Sequence, residues 1–138
     1  MRVSGIDYGR KRIGLAVSEG DHAYPVGTIE RRSFIRDIEL IRIQLASRDV
    51  SLIVVGLPIN MDGSEGPSAA AARTFAERLA EAIGIPVEMY DERLTTVEAL
   101  DRLRDASISR AKRKGLRDAL AATVMLQGWL EARRSKRR

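Results

Sequence analysis

The chain opens with three short apolar runs that predict β-strands. They cover residues 3–6, 13–17 and 24–29, and charged or glycine-containing connections separate them. Short polar connections between runs of this kind are typical of hairpins. We therefore expect three neighbouring antiparallel strands at the start of the fold.

The apolar positions then change to a helical spacing. Phe34, Ile38, Ile41 and Leu45 recur every three or four residues, which predicts an amphipathic helix. Residues 52–55 follow as an apolar run without alternation, which is the pattern of a strand covered on both faces. We expect this strand at the centre of the sheet.

A second helix and a further strand come next. Residues 67–83 carry apolar side chains on one helical face, and Gly84 and Pro86 follow as the usual stop signals of a helix. The apolar run at residues 85–90 predicts a strand. Strands that alternate with helices in this way are typical of an α/β fold.

The last part of the chain is predicted to be helical around one basic loop. Thr95 and Glu98 match the capping box that opens a helix. A basic loop follows around residues 110–117, and a last helix starts near Leu116 and is apolar over most of its circumference, so it must be deeply packed. Together the elements predict a mixed five-stranded sheet with helices on both faces.

The composition narrows the class of protein. A chain of 138 residues suits one domain, so we expect a single domain over residues 1–138 with a basic tail at 133–138. The chain has no cysteine and one histidine, which excludes disulfides, thiolate metal sites and histidine-rich zinc sites. No apolar run approaches the roughly 20 residues of a membrane span, and the first residues do not resemble a signal peptide. We expect a soluble cytoplasmic protein without a membrane partner.

Positive charge is concentrated at the C-terminal end. Residues 110–138 contain ten basic and two acidic side chains, a net charge of +8, whereas residues 1–109 sum to −3. A polycation on a nearly neutral body attracts a phosphate backbone by counterion release. Nucleic acid is therefore the expected partner, while a tail that only improves solubility is the alternative for residues 133–138.

Candidate phosphate contacts lie in three segments: a basic turn after the first strand, the loop at residues 56–67, and the basic segment near residue 110. The loop follows a buried strand and leads into a helix N-terminus, a location suited to phosphate, although an ordered connection with turn glycines explains it equally well. The residues that we expect to contact nucleic acid are Arg10, Lys11, Arg12, Asn60, Ser64, Arg110, Lys112, Arg113, Lys114 and Arg117.

Three acidic positions are candidate catalytic residues. Asp7 closes the first apolar strand. Asp91 and Glu92 end the last strand, where adjacent side chains point to opposite faces, so only one of them shares the side of Asp7; we favour Glu92 and keep Asp91 in reserve. Asp118 lies in the first turn of the last helix. Each position also has a structural explanation, because aspartates cap turns and acids near helix starts complement the helix dipole.

These three positions point to metal chemistry if they converge. Should the first strand, the last strand and the last helix meet at one edge, their carboxylates would form an oxygen-only site of the kind that Mg²⁺ or Mn²⁺ prefers. Such a site activates water and stabilises the leaving oxygen in phosphodiester hydrolysis. We therefore expect Asp7, Glu92 and Asp118 to be both the metal ligands and the catalytic residues.

These motifs resemble the YqgF/RuvX family of ribonuclease H-like proteins, a branch related to Holliday junction resolvases. The resemblance implies a ribonuclease H fold, and it places Asp7, Glu92 and Asp118 at the acidic active-site positions of the family. Two positions depart from the family pattern: Glu19 stands where Asp is expected, and Arg117 stands where an aliphatic residue is usual. The matching segments are residues 5–9, 12–18, 55–58, 91–96 and 118–122, with Asn60, Asp62 and Gly63.

The resemblance also implies a function. It implies a divalent-metal-dependent endonuclease that matures the 5′ end of pre-16S ribosomal RNA in ribosome biogenesis. Some members are described as Holliday junction resolvases that act on four-way DNA as dimers, so branched DNA is the alternative substrate and a homodimer is the assembly that this alternative implies. The charge pattern indicates binding to phosphate groups, which RNA and DNA share, so it does not distinguish between them.

Two other classes of function remain open at this point. The first is a non-catalytic accessory factor that binds nucleic acid through its basic segment alone. The second is a nucleotide-binding domain of the actin and sugar-kinase type, whose phosphate loops also follow a first-strand aspartate. Those proteins need two such domains around a cleft, whereas 138 residues supply one.

Overall fold

Five strands and five α-helices make up the part of the chain that the structure describes. The structure is a computed structural model that describes residues 1–103, 105–113 and 116–136, and at positions 117, 118 and 135 only the backbone. The elements in chain order are β1 (Arg2–Tyr8), β2 (Arg12–Glu19), β3 (His22–Glu30), α1 (Phe34–Ala46), β4 (Val50–Leu57), α2 (Pro67–Ile83), β5 (Val87–Asp91), a 3₁₀ turn (Glu92–Leu94), α3 (Val97–Arg102), α4 (Asp105–Arg113) and α5 (Arg117–Lys136).

The strands form one mixed sheet in the order β3-β2-β1-β4-β5. The first three strands are antiparallel, whereas β4 runs parallel to both β1 and β5. This confirms the predicted mixed five-stranded sheet. The predicted position of β4 was wrong, because β1 occupies the centre and β4 lies beside it. An apolar run without alternation indicates that both faces of a strand are buried, and this is true of any interior strand as well as of the central one.

Helices cover both faces of the sheet, as predicted. Ile53 and Val55 of β4 pack with α1 and α2 in one core, and Val54 between them packs with α5 in the other. This division follows from the alternation of side chains along a strand. Among the helices of the described ranges, none has the length and hydrophobicity needed to cross a bilayer.

Gly5 sets the distance between α5 and the sheet. A Cβ atom at this position would lie 2.8 Å from Cβ of Leu126 and 3.2 Å from the carbonyl oxygen of Ala122. Only a glycine in β1 therefore allows the backbone of α5 to lie this close. The contact fixes where α5 crosses the central strand.

The helix caps partly follow the sequence pattern. Gly84 ends α2 with a φ of 73°, as its stop signal predicted. The predicted cap at Thr95 was wrong by one residue: Thr96 caps α3, and its hydroxyl accepts a hydrogen bond from the backbone N–H of Ala99. Thr95 instead ends the preceding 3₁₀ turn, since its own N–H donates to the carbonyl of Glu92.

The basic segment at residues 110–117 was predicted to be a loop, but residues 110–113 are helical. Arg110, Lys112 and Arg113 occupy the last turn of α4, where positive side chains complement the helix dipole. Ser107 fastens this helix to the sheet, because its buried hydroxyl donates to the carbonyl of Ala23 over 2.9 Å. The high charge in and around the segment had hidden the two buried positions of α4, Ser107 and Ala111.

Candidate active site

Asp7 lies near the carboxyl end of the central strand. It pairs with Gly14 of β2, and the parallel register of β1 with β4 places Ile6 beside Val55, so that Asp7 is level with Gly56. The residue is half-buried and lines a surface cleft of about 380 Å³, here called the Asp7 cleft. The other residues lining this cleft are Tyr8, Gly9, Arg10, Arg31, Pro58, Pro67, Ser68 and Ala71.

Glu92 reaches across β4 towards Asp7. A Cβ atom at Gly56 would lie 2.7 Å from Oε1 of Glu92, so the carboxylate occupies the space that the missing side chain leaves. Gly56 is paired with Tyr90 of β5 on one side and is level with Asp7 on the other. The glycine therefore forms the gap through which Glu92 approaches the central strand.

The charge state of Glu92 reflects this position. Burial raises the pKa of Glu92 above its usual value, and the negative charges of Asp7 and then Asp91 raise it further. Like charges held close together disfavour ionisation, which a bound cation would offset. Two carboxylates brought together in this way fit a hard divalent cation, whose preferred ligands are oxygens.

Asp91 has a different role from its neighbour. Its carboxylate accepts hydrogen bonds from the Arg93 guanidinium at 2.8 to 3.2 Å and from the Arg93 backbone N–H at 2.9 Å. The hydrogen bonds from Arg93 lower the pKa of Asp91. The structure thus brings Glu92, rather than Asp91, to the side of Asp7.

The third candidate, Asp118, lies in the first turn of α5, and its side chain is outside the described ones. Its backbone position is one turn before Ala122, where α5 packs on Gly5. Residues of the same half of α5 line a groove of about 410 Å³ together with Glu92 and Thr95. Among the described side chains, no group of three or more His, Cys, Asp or Glu could hold a metal ion.

The predicted basic contacts lie in two exposed segments. Arg10 and Lys11 lie in the turn after Tyr8 and Arg12 begins β2, with Arg10 in the lining of the Asp7 cleft. The second segment is the last turn of α4, in which the predicted residues are exposed. Its predicted members are Arg110, Lys112 and Arg113; Lys114 lies outside the described residues, as does the side chain of Arg117.

Asn60 and Ser64 hold their own loop together. The amide of Asn60 donates to the hydroxyl of Ser64 at 3.0 Å, and that hydroxyl donates to Asp62 at 2.6 Å. The loop is thus ordered by internal hydrogen bonds, and the Ser64 hydroxyl hydrogen is already used. Arg93 joins the loop to the end of β5, because it donates to the carbonyl of Asn60.

Two features of this region were missed from the sequence. The role of Gly56 was one, although a glycine within the apolar run of β4 is a known sign of a close approach. The other is the grouping of Arg31, Arg32 and Arg78 beside the Asp7 cleft. No local pattern signals that grouping, because Arg31 and Arg32 follow β3 whereas Arg78 belongs to α2.

Known proteins resemble this chain over nearly its whole length. The family described as RuvX, Holliday junction resolvase, matches residues 1–132. A Myxococcus xanthus protein is 46% identical over 97% of this chain and 90% of its own length, and an Anaeromyxobacter protein (strain Fw109-5) is 50% identical over 96% and 98%. Both are named "Putative pre-16S rRNA nuclease".

Solved structures share the fold at low sequence identity. RuvC of Thermus thermophilus in complex with a Holliday junction substrate matches 98% of this chain and 96% of its own, with a TM-score of 0.60 and 17% identity. The fowlpox virus Holliday junction resolvase matches 96% and 99%, with a TM-score of 0.58 and 10% identity. The fold is therefore that of the ribonuclease H-like resolvases, and the chain belongs to the RuvX family.

Proposed function

We propose that this chain is a divalent-metal-dependent endonuclease that processes the 5′ end of pre-16S ribosomal RNA. The observation that carries the proposal is the approach of the Glu92 carboxylate, across Gly56, to Asp7 on the central strand. A carboxyl group whose pKa is raised by burial and by a neighbouring carboxylate, as that of Glu92 is, is typical of a functional site. The chain belongs to a family whose members are named as nucleases, and an acidic pair of this kind would serve such an activity.

Asp7, Glu92 and Asp118 are the residues that would hold Mg²⁺ or Mn²⁺. When bound, the cation supplies an activated water and offsets the charge of the leaving oxygen. The chain contributes the rigid placement of the ligands: Asp7 on the central strand, Glu92 at the gap over Gly56, and Asp118 on the helix that Gly5 holds against β1. Ligands carried by a sheet and a packed helix keep their geometry during the reaction.

The reaction is the hydrolysis of one phosphodiester bond. The oxygen of water forms a new bond to phosphorus, the bond from phosphorus to one ribose oxygen breaks, and that oxygen takes up a proton. Arg10, at the rim of the Asp7 cleft, and the basic last turn of α4 would neutralise the phosphates of the strand being cut.

Precursor ribosomal RNA is the substrate that the names of the relatives favour, and a cytoplasmic protein that acts on ribosome precursors is part of this proposal. Four-way DNA is the comparison substrate, because the family description names Holliday junctions. Symmetric paired nicks on a junction, without cutting of the precursor RNA, would show that four-way DNA is the substrate instead.

The test is cleavage of a labelled RNA that spans the leader and the start of mature 16S rRNA, with Mg²⁺, Mn²⁺ or EDTA. We expect metal-dependent cutting by the wild type and a loss on the order of 100-fold or more in Asp7→Asn. Asp91→Asn is the matched control, since it removes a neighbouring acid that faces Arg93. Equal cutting by Asp7→Asn and wild type would refute the proposed site.

A non-catalytic accessory role predicts a different result for a variant that lacks all three acids. A variant in which Asp7, Glu92 and Asp118 are all alanine would then support ribosome maturation as well as the wild type does. The endonuclease proposal requires the opposite result: the triple variant binds RNA and fails to mature it.

A further inference from the structure

A second cleft continues from the Asp7 cleft on the side of α1 and α2. It has a volume of about 420 Å³, and it shares Tyr8, Arg10 and Arg31 with the Asp7 cleft. Beyond these shared residues its lining adds Arg32 and Arg78. We call this surface the arginine cleft.

Three aromatic rings form the floor against which two of the guanidinium groups lie. Tyr8 and Phe75 are stacked with ring centroids 4.2 Å apart, and Phe34 meets Phe75 edge-on at 6.3 Å. Arg31 lies 4.2 Å from the centre of the Tyr8 ring, and Arg78 lies 3.6 Å from that of Phe34. A stacked guanidinium is held in place without losing its charge, and its N–H donors stay at the edge of the plane.

The positive charge of this cleft is not neutralised within the described part of the chain. There, no carboxylate lies within 4.0 Å of a guanidinium nitrogen of Arg10, Arg31, Arg32 or Arg78. The carboxylate that lines the cleft, Asp37, is buried and accepts hydrogen bonds from the backbone N–H of Arg32 and from the side chain of Arg36. Most of the hydrogen-bond-accepting capacity of the Asp37 carboxylate is therefore used inside the fold.

We propose that the arginine cleft binds the phosphate backbone of the RNA strand next to the bond that is cut. The inference rests on the proposed function, and it assigns Arg32 and Arg78 to substrate binding. Continuity with the Asp7 cleft places this anion-binding surface along the path that a strand takes away from Asp7. Guanidinium groups suit this task because they form paired hydrogen bonds with phosphate oxygens.

Charge removal in two places tests the proposal. The cleft variant is Arg32→Gln/Arg78→Gln. The control variant, Arg42→Gln/Arg48→Gln, removes the same charge from the middle of α1 and the turn before β4, at the end of the sheet away from Asp7. Each lowers the net charge from +5 to +3. A third variant, Arg32→Lys/Arg78→Lys, keeps the charge and controls for misfolding.

Binding of the fluorescein-labelled 16S leader RNA is measured by anisotropy in EDTA at several salt concentrations. We expect the cleft variant to bind about tenfold more weakly near 0.15 M salt, with a log–log salt slope reduced by about 1.4, because each lost contact to a single strand releases roughly 0.7 fewer ions. The control should stay within about twofold of wild type, and the lysine variant should keep the wild-type slope.

The proposal fails if the cleft and control variants lose equal affinity, or if the wild type does not bind the RNA. Since EDTA prevents cutting, this result is independent of the nuclease activity. Binding that depends on the cleft without any metal-dependent cleavage would overturn the proposed function and leave the binding surface standing. Metal-dependent cleavage by a cleft variant that binds RNA as tightly as the wild type does would overturn the arginine cleft proposal and leave the proposed function standing.

Discussion

Oε1 of Glu92 lies 2.7 Å from where a Cβ of residue 56 would be, so the carboxylate fills the place of the side chain that Gly56 lacks. Gly56 belongs to the strand that separates β5 from the central strand. A side chain on that strand would keep the acid away from Asp7. The identity of residue 56 therefore controls whether the two carboxylates can act together.

Gly56→Ala should abolish most of the cleavage and leave the fold intact. The new methyl group displaces the end of a flexible side chain, so the protein should lose about 1 kcal/mol or less while kcat falls at least tenfold. Gly27→Ala is the control, since a Cβ there meets nothing within 4 Å. Cleavage by Gly56→Ala at the rate of Gly27→Ala would show that the position of Glu92 does not matter.

Glu92→Gln should make the metal-free protein more stable at pH 8. The pKa of Glu92 is raised in the folded state, so its ionisation favours unfolding above that pKa, and the penalty disappears as the pH falls below the unfolded value of about 4.3. The Tm gain should shrink accordingly between pH 8 and pH 4. Thermal unfolding in EDTA measures it.

Asp91→Asn should change stability in the other direction. The pKa of Asp91 is lowered by Arg93, so its ionised form stabilises the fold above the unfolded pKa and the effect is lost as the pH falls through the folded value. We expect Asp91→Asn to lower Tm at pH 8 and to match the wild type in acid. Shifts of the same sign in both variants would contradict the assigned roles of the two acids.

Divalent cations should stabilise the wild type through the acidic site. At a metal concentration ten times Kd, the free energy of unfolding should rise by about 1.4 kcal/mol. Asp7→Asn should lose this gain, while Asp91→Asn should keep it. A Tm that rises equally with Mn²⁺ in wild type and Asp7→Asn would mean that the ion binds elsewhere.

Gly5→Ala should reduce stability and cleavage together. The added methyl group meets Leu126 and the backbone of Ala122, so α5 must move away from β1 at a cost of about 1 to 3 kcal/mol. Because α5 carries Asp118, the displacement should also lower kcat. Denaturant unfolding and cleavage assays measure the two effects, and Gly27→Ala again shows what a harmless added methyl does. An unchanged kcat alongside the stability loss would separate α5 from the reaction.

The exposed last turn of α4 remains a predicted RNA contact. Replacing Arg110, Lys112 and Arg113 by glutamine should reduce the salt slope of RNA binding by about 2, at roughly 0.7 per lost contact to a single strand. Stability should fall by about 1 kcal/mol or less per side chain, because these exposed charges contribute to the fold only through the helix dipole. A slope equal to that of Arg42→Gln/Arg48→Gln would leave α4 without a role in binding.

Much of the fold could be predicted because periodicity reports local geometry. The spacing of Phe34, Ile38, Ile41 and Leu45 is that of a helix, and these residues lie in α1. The predicted helix at residues 67–83 coincides with α2, and Gly84 is its C-cap. The family resemblance carried the prediction further, to a ribonuclease H fold and to Asp7 and Glu92 as partners. Spacing alone left the choice between Asp91 and Glu92 open, because both end the same strand.

Tertiary structure decided what depends on neighbours in space. Strand order put β1 at the centre, and the parallel register put Gly56 beside Asp7, which opened the path for Glu92. Ser107 and Ala111 are buried in α4, and the first residues of the basic segment belong to this packed helix. Arg31 and Arg78 meet one cleft because Tyr8, Phe75 and Phe34 pack together across three elements. The sequence determines each element through its own periodicity, but contacts between elements depend on register and packing, which no single segment encodes.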